Sequence, residues 1–369
     1  MLTDPLSDED PSPLAVAAPA RALPRARPAP HVAIVGATGA VGVELIACLE
    51  ARAFPLASLR LFASARSAGR RVPFCGTELV IEELTDDSFE GIDIALFSAG
   101  ATISRHYAPL AAEAGAVVID NSSAFRMAPE VPLVVPEVNG AVLAGHGGLN
   151  GSGGMIANPN CVAAIMTVAL APLNRVHPIR RIQAATYQAA SGGGAAMMEE
   201  LRAGTAAALA GEDFAPSVLP HPYAFNLFSH NAEVDPRSGY NGEELKVIAE
   251  TRRILGAPGL PIGITCIRVP VLRAHAIALT LSFDAPVSVT EARALLAAAP
   301  GLRVVDDRAA NHFPMPSEVS GQDDVFVGRI RTDLGDPTGC SLCLYVVGDQ
   351  LLKGAALNAV QIAETLVGG

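Results

Sequence analysis

The sequence lacks the features that place a protein in a membrane or on a nucleic acid. Its longest apolar stretches, such as CVAAIMTVALAPL, fall short of the roughly 18 to 20 residues that span a bilayer. With a formal net charge of −11, the chain also has no basic run and no basic patch interleaved with aromatic residues. We therefore expect no membrane helix and no nucleic-acid partner, and any anion site must be local.

Cysteine is scarce and scattered. The six cysteines occur without a recognisable secretion signal, so we expect no disulfide framework and take a reducing cytoplasm as the default location. Cys340 and Cys343 have a spacing found in zinc and redox pairs, but neither a second pair nor a histidine cluster accompanies them. Because GCSLCLYVV has the pattern of a buried strand, we expect no metal site.

The chain is long enough for two domains, because it has 369 residues, and half of them are apolar and can form a core. Residues 1–29 differ from the rest, because they are rich in Pro and Ala and show no apolar period. This composition predicts a disordered leader. Residues 1–29 fit neither a secretory signal nor an organellar presequence well, and the sequence does not indicate their role.

A first domain is predicted over residues 31–160. HVAIVGATGAVGVELIACLEAR contains an apolar strand, a glycine-rich turn and a helix, and LRLFAS, IDIALFSAG, ISRHYAPLAAEAG and AVVIDNSS continue the alternation of strand and helix. This order predicts an α/β domain of Rossmann type with a parallel, doubly wound sheet. The glycines of Gly36-Ala-Thr-Gly-Ala-Val-Gly42 favour a dinucleotide pyrophosphate at the helix N-terminus, with a purely structural turn as the alternative.

The end of the second strand indicates which dinucleotide binds. Where an NAD enzyme would place a carboxylate for the ribose 2′-hydroxyl, this chain has FASARS, with Ser64 and Arg66 suited to a 2′-phosphate. NADP is therefore the expected cofactor, and a solvated basic loop is the alternative. The candidate cofactor contacts in this domain are Gly36, Thr38, Gly39, Ala40, Val41, Gly42, Ser64, Arg66 and Ser67.

A second domain is predicted over residues 161–352. It begins with an apolar helix and continues with RRIQAATYQAASGGG, a strand that ends in a glycine loop. The later strand candidates GITCIRVPV, AHAIALTLSF, LRVVDD, DVFVGRIRTD and SLCLYVVGD have few helices between them. This spacing predicts an α+β domain with a mixed sheet, and KGAALNAVQIAETLV predicts a C-terminal helix.

Cys161 is the candidate nucleophile. It follows Asn-Pro-Asn, a turn and helix start, and a helix N-terminus lowers the pKa of a thiol. A cysteine that opens an apolar helix is more often packing when it stands alone. Here His275 offers a base, Arg268 a bidentate clamp for a carboxylate, and Gln188 a polar group beside the glycine loop.

Eight segments, in order, resemble the aspartate-semialdehyde dehydrogenase family and cover the chain from about residue 31 to its end. They are GATGAVG, DNSSAFRM, VPEVN, NPNC, YQAASGGG, NGEELKV, TCIRVPVLRAH and KGAALNAVQIAE. The resemblance implies NADP- and phosphate-dependent interconversion of L-aspartate 4-semialdehyde and L-aspartyl-4-phosphate through a cysteine thioester. It places this reaction in the biosynthesis of lysine, threonine, methionine and isoleucine. It also implies a catalytic and dimerisation domain, a homodimer or homotetramer, and a C-terminal helix, residues 353–369, that returns to the cofactor domain.

The resemblance further implies a role for each matching residue. Cys161 is the nucleophile, His275 the general base, and Gln188 orients the substrate. In the substrate subsite Arg268 holds the α-carboxylate, Glu243 faces the amino group, Arg126 and Lys246 receive phosphate, and Asn160 completes the set. Ser191 and Gly192 join the cofactor contacts, and Asn358 lies at the nicotinamide end.

The chain departs from the family pattern at three places. Val162 and Ala163 follow the cysteine where Ser or Thr is common, Ala274 replaces a Gly before the base, and Leu357 replaces a Trp. None of these changes removes a reacting group. A slight shift of the imidazole by Ala274 would still lower the rate, because catalysis is sensitive to small misplacements.

Two alternatives remain at this stage. N-acetyl-glutamyl-phosphate reductase shares the cysteine and the acyl-phosphate chemistry, but its turn usually reads Asn-Pro-Gly-Cys and its acylated nitrogen has no use for Glu243. A catalytically silent NADP-binding paralogue is the second alternative. Such a copy typically loses the cysteine or the histidine, and both Cys161 and His275 are present.

Overall fold

The computed structural model describes residues 29–146 and 153–368. The predicted leader, except for residue 29, lies outside the described residues. No helix in the described ranges is long and apolar enough to cross a bilayer.

The first seven strands form one sheet in the order β3-β4-β2-β1-β5-β6-β7. They are β1 (His31–Val35), β2 (Ser58–Ala63), β3 (Arg71–Phe74), β4 (Thr77–Glu83), β5 (Ile94–Phe97), β6 (Val117–Asp120) and β7 (Gly154–Ala157). All neighbours run parallel except β3, which pairs with β4 in an antiparallel hairpin. The predicted Rossmann-type sheet is confirmed, and only the edge hairpin and β7 are additions to the strands read from the sequence.

Helices cover both faces of this sheet, which is why its strands are apolar at successive positions. Val32 and Ile34 pack on one side with Leu45 of α1 (Ala40–Ala51), while Ala33 and Val35 pack on the other with Ala108 of α2 (Ala101–Glu113). A short helix, α3 (Pro136–Asn139), follows β6.

The last helix, α9 (Leu357–Gly368), packs on this first sheet although it ends the chain. Its residues Val360, Ile362 and Leu366 share a core with Val32 and Leu45. A π-helical turn, Leu352–Ala356, leads into it from the second sheet. The domain boundaries 31–160, 161–352 and 353–369 stay predictions. The packing of α9 on the first sheet is the structural observation that bears on the last of them.

The other seven strands form the second sheet in the order β12-β13-β14-β11-β8-β10-β9. They are β8 (Ile179–Gln188), β9 (Phe228–Ser229), β10 (Ile262–Arg268), β11 (His275–Phe283), β12 (Leu302–Val304), β13 (Val325–Thr332) and β14 (Ser341–Gly348). β8 runs parallel to β10 and β12 parallel to β13, whereas the other pairs are antiparallel. The predicted mixed sheet of an α+β domain is therefore confirmed.

One face of the second sheet packs against α4 (Cys161–Val176), which is buried at every residue from Val162 to Leu173. α4 is flanked by α6 (Gly242–Ile254) and α7 (Val289–Ala297). The remaining helices are α5 (Ala195–Ala210) and the short α8 (Pro316–Val319). Burial of α4 all round fixes its first residue, Cys161, against the surrounding elements.

Candidate active site

Cys161 is the first residue of α4, and the residue before it caps the helix. The side-chain Oδ1 of Asn160 accepts hydrogen bonds from the N–H groups of Val162 (2.9 Å) and Ala163 (3.3 Å). This is the usual arrangement at an N-cap, where a side-chain oxygen satisfies N–H groups that have no partner within the helix. Cys161 keeps part of its surface accessible while the helix behind it is buried. The Asn-Pro-Asn turn therefore presents the thiol at the mouth of the helix.

The amide of Asn160 connects this turn to two other elements. Its Nδ2 donates to Oε1 of Glu243 on α6 at 2.9 Å, and Nε2 of Gln188, the last residue of β8, donates to the same oxygen at 3.1 Å. Oε1 of Gln188 accepts from the hydroxyl of Thr186 at 3.0 Å. The structure thus brings Asn160, Gln188 and Glu243 together beside Cys161.

A capping box fixes Glu243 at the start of α6. Asn241 accepts from the N–H groups of Glu243 and Glu244, and the Glu244 carboxylate accepts the N–H of Asn241 in return. Glu243 is buried, which tends to raise its pKa, but His230, the amides of Asn160 and Gln188, and Lys246 hold the pKa below its ordinary value. Glu243 is accordingly a carboxylate in neutral solution.

Arg268 and His275 lie on opposite sides of the backbone of Ala189. Nη1 of Arg268, the last residue of β10, donates to the carbonyl of Ala189 at 3.0 Å, and the N–H of Ala189 donates to Nδ1 of His275, the first residue of β11, at 2.9 Å. A Cβ placed on Gly192 would come within 2.9 Å of Arg268 Nη1 and 3.0 Å of His275 Cε1. The loop needs glycine there because both side chains press against it.

The hydrogen bond from Ala189 determines where a neutral His275 carries its proton. A backbone N–H can only donate, so Nδ1 must accept and the proton lies on Nε2. Within the described structure Nε2 is buried without a partner. Burial, reinforced by the charge of Arg268, lowers the pKa of His275 well below its ordinary value. In this arrangement Nε2 is a donor, and the general-base role that we expect requires the ring to lose the Ala189 bond.

The remaining contacts of Arg268 involve residues that the sequence did not point to. Its Nε donates to Oδ1 of Asn231 at 3.3 Å, and its Nη2 lies 2.7 Å from Nε2 of His230. Burial and the charge of Arg268 lower the pKa of His230 to about 4. Both residues follow β9 in the long connection between α5 and α6, a segment without a periodic pattern. Only the edge pairing of β9 with β10 brings them to the site.

Arg126 is directed towards protein acceptors. Its Nε donates to the carbonyl of Asn158 at 2.9 Å, its Nη2 to the carbonyl of Asn121 at 2.7 Å, and its Nη1 to Oε1 of Glu250 at 3.1 Å. Lys246, one turn after Glu243 on α6, is exposed. The contact of Arg126 and Lys246 with phosphate stays a prediction.

The C-terminal segment approaches the nucleophile from the other side. A Cβ on Gly354, in the π-helical turn, would lie 2.8 Å from the Cβ of Cys161. Asn358 is fully buried, with its Nδ2 donating to the carbonyl of Val134 and to Oδ1 of Asn158, and its Oδ1 accepting from Lys353. The amide of Asn358 is thus engaged by protein groups, and its contact with a nicotinamide stays a prediction.

The glycine turn after β1 has the features of a dinucleotide site. Gly36 has φ +89°, and a Cβ there would lie 2.9 Å from the backbone of Ser98. Gly42 packs so closely that a Cβ would lie 2.2 Å from the carbonyl oxygen of Gly36. Gly39, the N-cap of α1, has no side-chain cap among the described residues, so the N–H groups of the first turn face outward. This uncapped helix start fits a pyrophosphate.

The second strand ends beside that turn. The N–H of Gly36 donates to the carbonyl of Phe62, the next-to-last residue of β2. Ser64 and Arg66 follow β2 and are exposed, whereas Ser67 is buried. The other two expected cofactor contacts lie elsewhere, since Ser191 is buried against Gln350, and Gly192 borders Arg268 and His275. Their contact with a cofactor stays a prediction.

The family models match both halves of the chain. A model described as the NAD binding domain of semialdehyde dehydrogenase matches residues 31–146, and one described as its dimerisation domain matches residues 170–353. Together with the dinucleotide turn and the cysteine site, they define an oxidoreductase of the semialdehyde dehydrogenase class.

Individual relatives identify one family within this class. The aspartate-semialdehyde dehydrogenase of Synechocystis sp. is 51% identical over 337 residues, which cover 91% of this chain and 97% of the relative. That of Bacillus subtilis is 44% identical over 344 residues, covering 91% and 97%. A Vibrio cholerae crystal structure of aspartate semialdehyde dehydrogenase II, described as complexed with ASA, superposes with a TM-score of 0.87 at 39% identity, covering 92% and 98%. The chain belongs to the aspartate-semialdehyde dehydrogenase family, and the resemblance read from the sequence is confirmed.

The surroundings of Cys161 affect the pKa of its thiol in opposite directions. Burial raises the pKa of the thiol to about 12, with a further contribution from the charge of Glu243. Arg268, Arg126 and the N–H of Val162 act in the opposite direction without offsetting it. The N–H at the helix start lowers the pKa as expected, but desolvation of the thiolate is larger and the net shift is upward.

Alkylation of Cys161 by iodoacetamide should therefore show no plateau near neutral pH. Since only the thiolate reacts, the rate should rise about tenfold per pH unit between pH 7 and pH 9. Peptide mass spectrometry after timed quenching measures this rate for Cys161 alone, and a Cys161→Ser variant identifies the peptide. A rate that levels off below pH 8 would show that the thiol is already ionised.

The residue before His275 carries backbone strain. Ala274 has φ +72°, a left-handed conformation that costs a residue with a Cβ about 1 to 2 kcal/mol, which explains the family's glycine at this position. Ala274→Gly should raise the free energy of unfolding by about 0.5 to 1 kcal/mol, after the greater chain entropy of glycine is subtracted.

Urea denaturation checks this prediction. Ala276→Gly is the matched control, since Ala276 lies two residues later within β11, is also buried, and has no positive φ. The control should be destabilised. If Ala274→Gly were destabilised equally, strain at Ala274 would not be the reason for the family's preference.

Proposed function

We propose that the protein catalyses the NADP- and phosphate-dependent interconversion of L-aspartate 4-semialdehyde and L-aspartyl-4-phosphate through a thioester on Cys161. This reaction would serve the biosynthesis of lysine, threonine, methionine and isoleucine. The observation that carries the proposal is the hydrogen-bonded cluster of Asn160, Gln188 and Glu243 at the mouth of the nucleophile helix. Membership of the family supports the same reaction.

Opposite charges support an amino-acid substrate. Arg268 is the cation for the α-carboxylate, because a guanidinium binds a carboxylate through two parallel hydrogen bonds. Glu243 is the anion for the α-amino group, and its Oε1 is already fixed by Asn160 and Gln188. An acylated nitrogen would gain nothing from this carboxylate, which argues against an N-acetylated substrate.

The bond changes can be written in the direction of oxidation. The sulfur of Cys161 bonds to the aldehyde carbon as its proton is removed, and the carbonyl oxygen becomes the oxygen of a thiohemiacetal. The hydroxyl proton of the thiohemiacetal then passes to His275 as hydride leaves that carbon, and NADP bound at the glycine turn would supply the hydride acceptor. The carbon is thereby oxidised to a thioester, phosphate displaces the sulfur, and the acyl phosphate leaves with Cys161 restored. The biosynthetic direction reverses these steps.

His275 accounts for the proton movements. As a donor at Nε2, the neutral ring stabilises negative charge on the substrate oxygen. To take the proton of Cys161, the ring must present a lone pair at Nε2, which requires both release of the Ala189 hydrogen bond and transfer of the ring proton from Nε2 to Nδ1. We assign both states to His275, because its Nε2 has no other partner in the described structure.

Lys246 is the main cation for phosphate in this proposal, because it is exposed at the edge of the site. Arg126 uses three of its five N–H groups on protein acceptors. Two N–H groups remain for phosphate, so Arg126 contributes less than the sequence suggested.

The cofactor would lie across the carboxyl ends of β1 and β2. The pyrophosphate would contact the turn from Gly36 to Gly42, including Thr38, Gly39, Ala40 and Val41. Exposed Ser64 and Arg66 suit a 2′-phosphate, with Ser67 supporting their loop. Ser191, Gly192 and Asn358 complete the proposed contacts near the nicotinamide.

The oligomeric state and the cellular location are also proposals. The dimerisation-domain match over residues 170–353 supports an oligomer, and we propose a homodimer or a homotetramer. The free state of the cysteines in the described structure agrees with a cytoplasmic location.

Formation of NADPH from L-aspartate 4-semialdehyde and NADP tests the function directly. Absorbance should rise steadily when phosphate is present and stop after one equivalent of NADPH per active site when phosphate is omitted, because the thioester then accumulates without turning over. NADP should be used more efficiently than NAD. Cys161→Ser should abolish turnover and leave NADP affinity nearly unchanged.

Three results would contradict parts of the proposal. A rate independent of phosphate would exclude the acyl-phosphate product. Equal efficiency with NAD would remove the role given to Arg66. A Cys161→Ser variant that kept most of its rate would identify a different nucleophile.

A further inference from the structure

Glu250 is a buried carboxylate that hydrogen-bonds to residues 158–160, the turn before Cys161, which we call the nucleophile turn. It is 1% exposed and lies on α6, two turns after Glu243. Its Oε2 accepts the backbone N–H of Asn160 at 2.5 Å, and its Oε1 accepts Nη1 of Arg126 at 3.1 Å. Neither bond belongs to the regular pattern of a helix or a sheet, so both depend on this side chain alone.

Glu250 and Arg126 together hold both ends of the turn. Arg126 donates from Nε to the carbonyl of Asn158, and Glu250 accepts from the N–H of Asn160. Only Pro159 lies between the two anchored residues, and a proline has a fixed φ. One ion pair therefore holds the backbone of this turn at both ends, in addition to the side-chain bonds of Asn160.

This arrangement is costly for the fold. Burial raises the pKa of Glu250, and the charge of Arg126 together with the Asn160 N–H opposes that rise. A buried ion pair is often less stabilising than apolar side chains of the same volume. A requirement for precise placement of the turn is a reason for having the pair at this position.

We infer that Glu250 is a positioning residue for Cys161, acting through the Arg126 pair and the Asn160 N–H. The inference rests on the proposed role of Cys161 as nucleophile. Loss of the carboxylate removes one restraint on the peptide before Cys161 and lets it rotate, which moves the sulfur relative to the substrate carbon. A displacement of about 1 Å costs about a hundredfold in rate, while Arg268 and Glu243, which bind the semialdehyde in the proposed function, make no hydrogen bond to Glu250.

The test is a comparison of kcat and KM in Glu250→Ala, Glu250→Gln and Glu250→Asp. Glu250→Ala should lower kcat about a hundredfold and Glu250→Gln about tenfold, because glutamine keeps one acceptor oxygen. KM for the semialdehyde should change less than about threefold, since Arg268 and Glu243 remain. Each rate is divided by the fraction of protein that is folded, and NADP binding measures this fraction. Glu250→Asp keeps a charge for Arg126 but is one methylene shorter, so it should fold and still lose kcat.

Asp306→Asn is the matched control. Asp306, which follows β12, is also a buried carboxylate that pairs with an arginine and accepts a backbone N–H, but its partners are Arg293 and the N–H of Arg329, and none of these bonds involves the turn before Cys161. The control should lose stability and keep its kcat. If the Glu250 variants kept the kcat of the folded wild-type enzyme, or lost it only as Asp306→Asn does, the positioning role would be refuted.

Failure of the proposed function is a separate outcome. It would appear as wild-type protein that lacks phosphate-dependent turnover. The positioning role would then be measured by iodoacetamide alkylation of Cys161 at pH 9. There the Glu250 variants should differ from wild type and from Asp306→Asn, and equal rates in all of them would overturn the inference.

Discussion

The hydrogen bonds of Asn160 are the constraint on which the candidate site depends. This one residue caps α4 through its Oδ1, binds Glu243 through its Nδ2, and offers its backbone N–H to Glu250. The bonds to Glu243 and Glu250 connect the start of the nucleophile helix to α6, and Glu243 extends this connection to Gln188 at the end of β8. Cys161 therefore has a defined position because the residue before it has no freedom left.

The same burial that fixes the site keeps its reacting groups neutral. Desolvation raises the pKa of Cys161 and lowers that of His275, so thiol and imidazole are favoured over an ion pair. Glu243 and Arg268 are charged, and these are the two groups that we propose bind the substrate. An arriving amino acid carries the complementary charges and a carbonyl for Nε2 of His275. On this account the bound substrate supplies the charges and the carbonyl group that the thiol needs in order to react.

Local sequence patterns predicted most of the fold because each long strand is apolar at successive or alternate positions. They missed the β3–β4 hairpin at the sheet edge, β7, and β9, which has two residues and is defined only by its pairing with β10. In the site, motifs led to Cys161 and its neighbours, but not to Glu250, whose carboxylate meets the turn only after folding. The net pKa shift of the Cys161 thiol was not predicted, because a rule about helix ends contains no term for burial. Contacts and desolvation that arise from distant segments have no local signature.

The central claim is that Cys161 carries the substrate as a thioester. It is tested most directly by mixing the enzyme with L-aspartate 4-semialdehyde and NADP without phosphate, quenching with acid, and analysing the peptide that contains Cys161 by mass spectrometry. The account predicts one equivalent of NADPH together with an aspartyl group on this peptide, which disappears when phosphate is added before the quench. An unmodified Cys161 peptide alongside the same NADPH would contradict it.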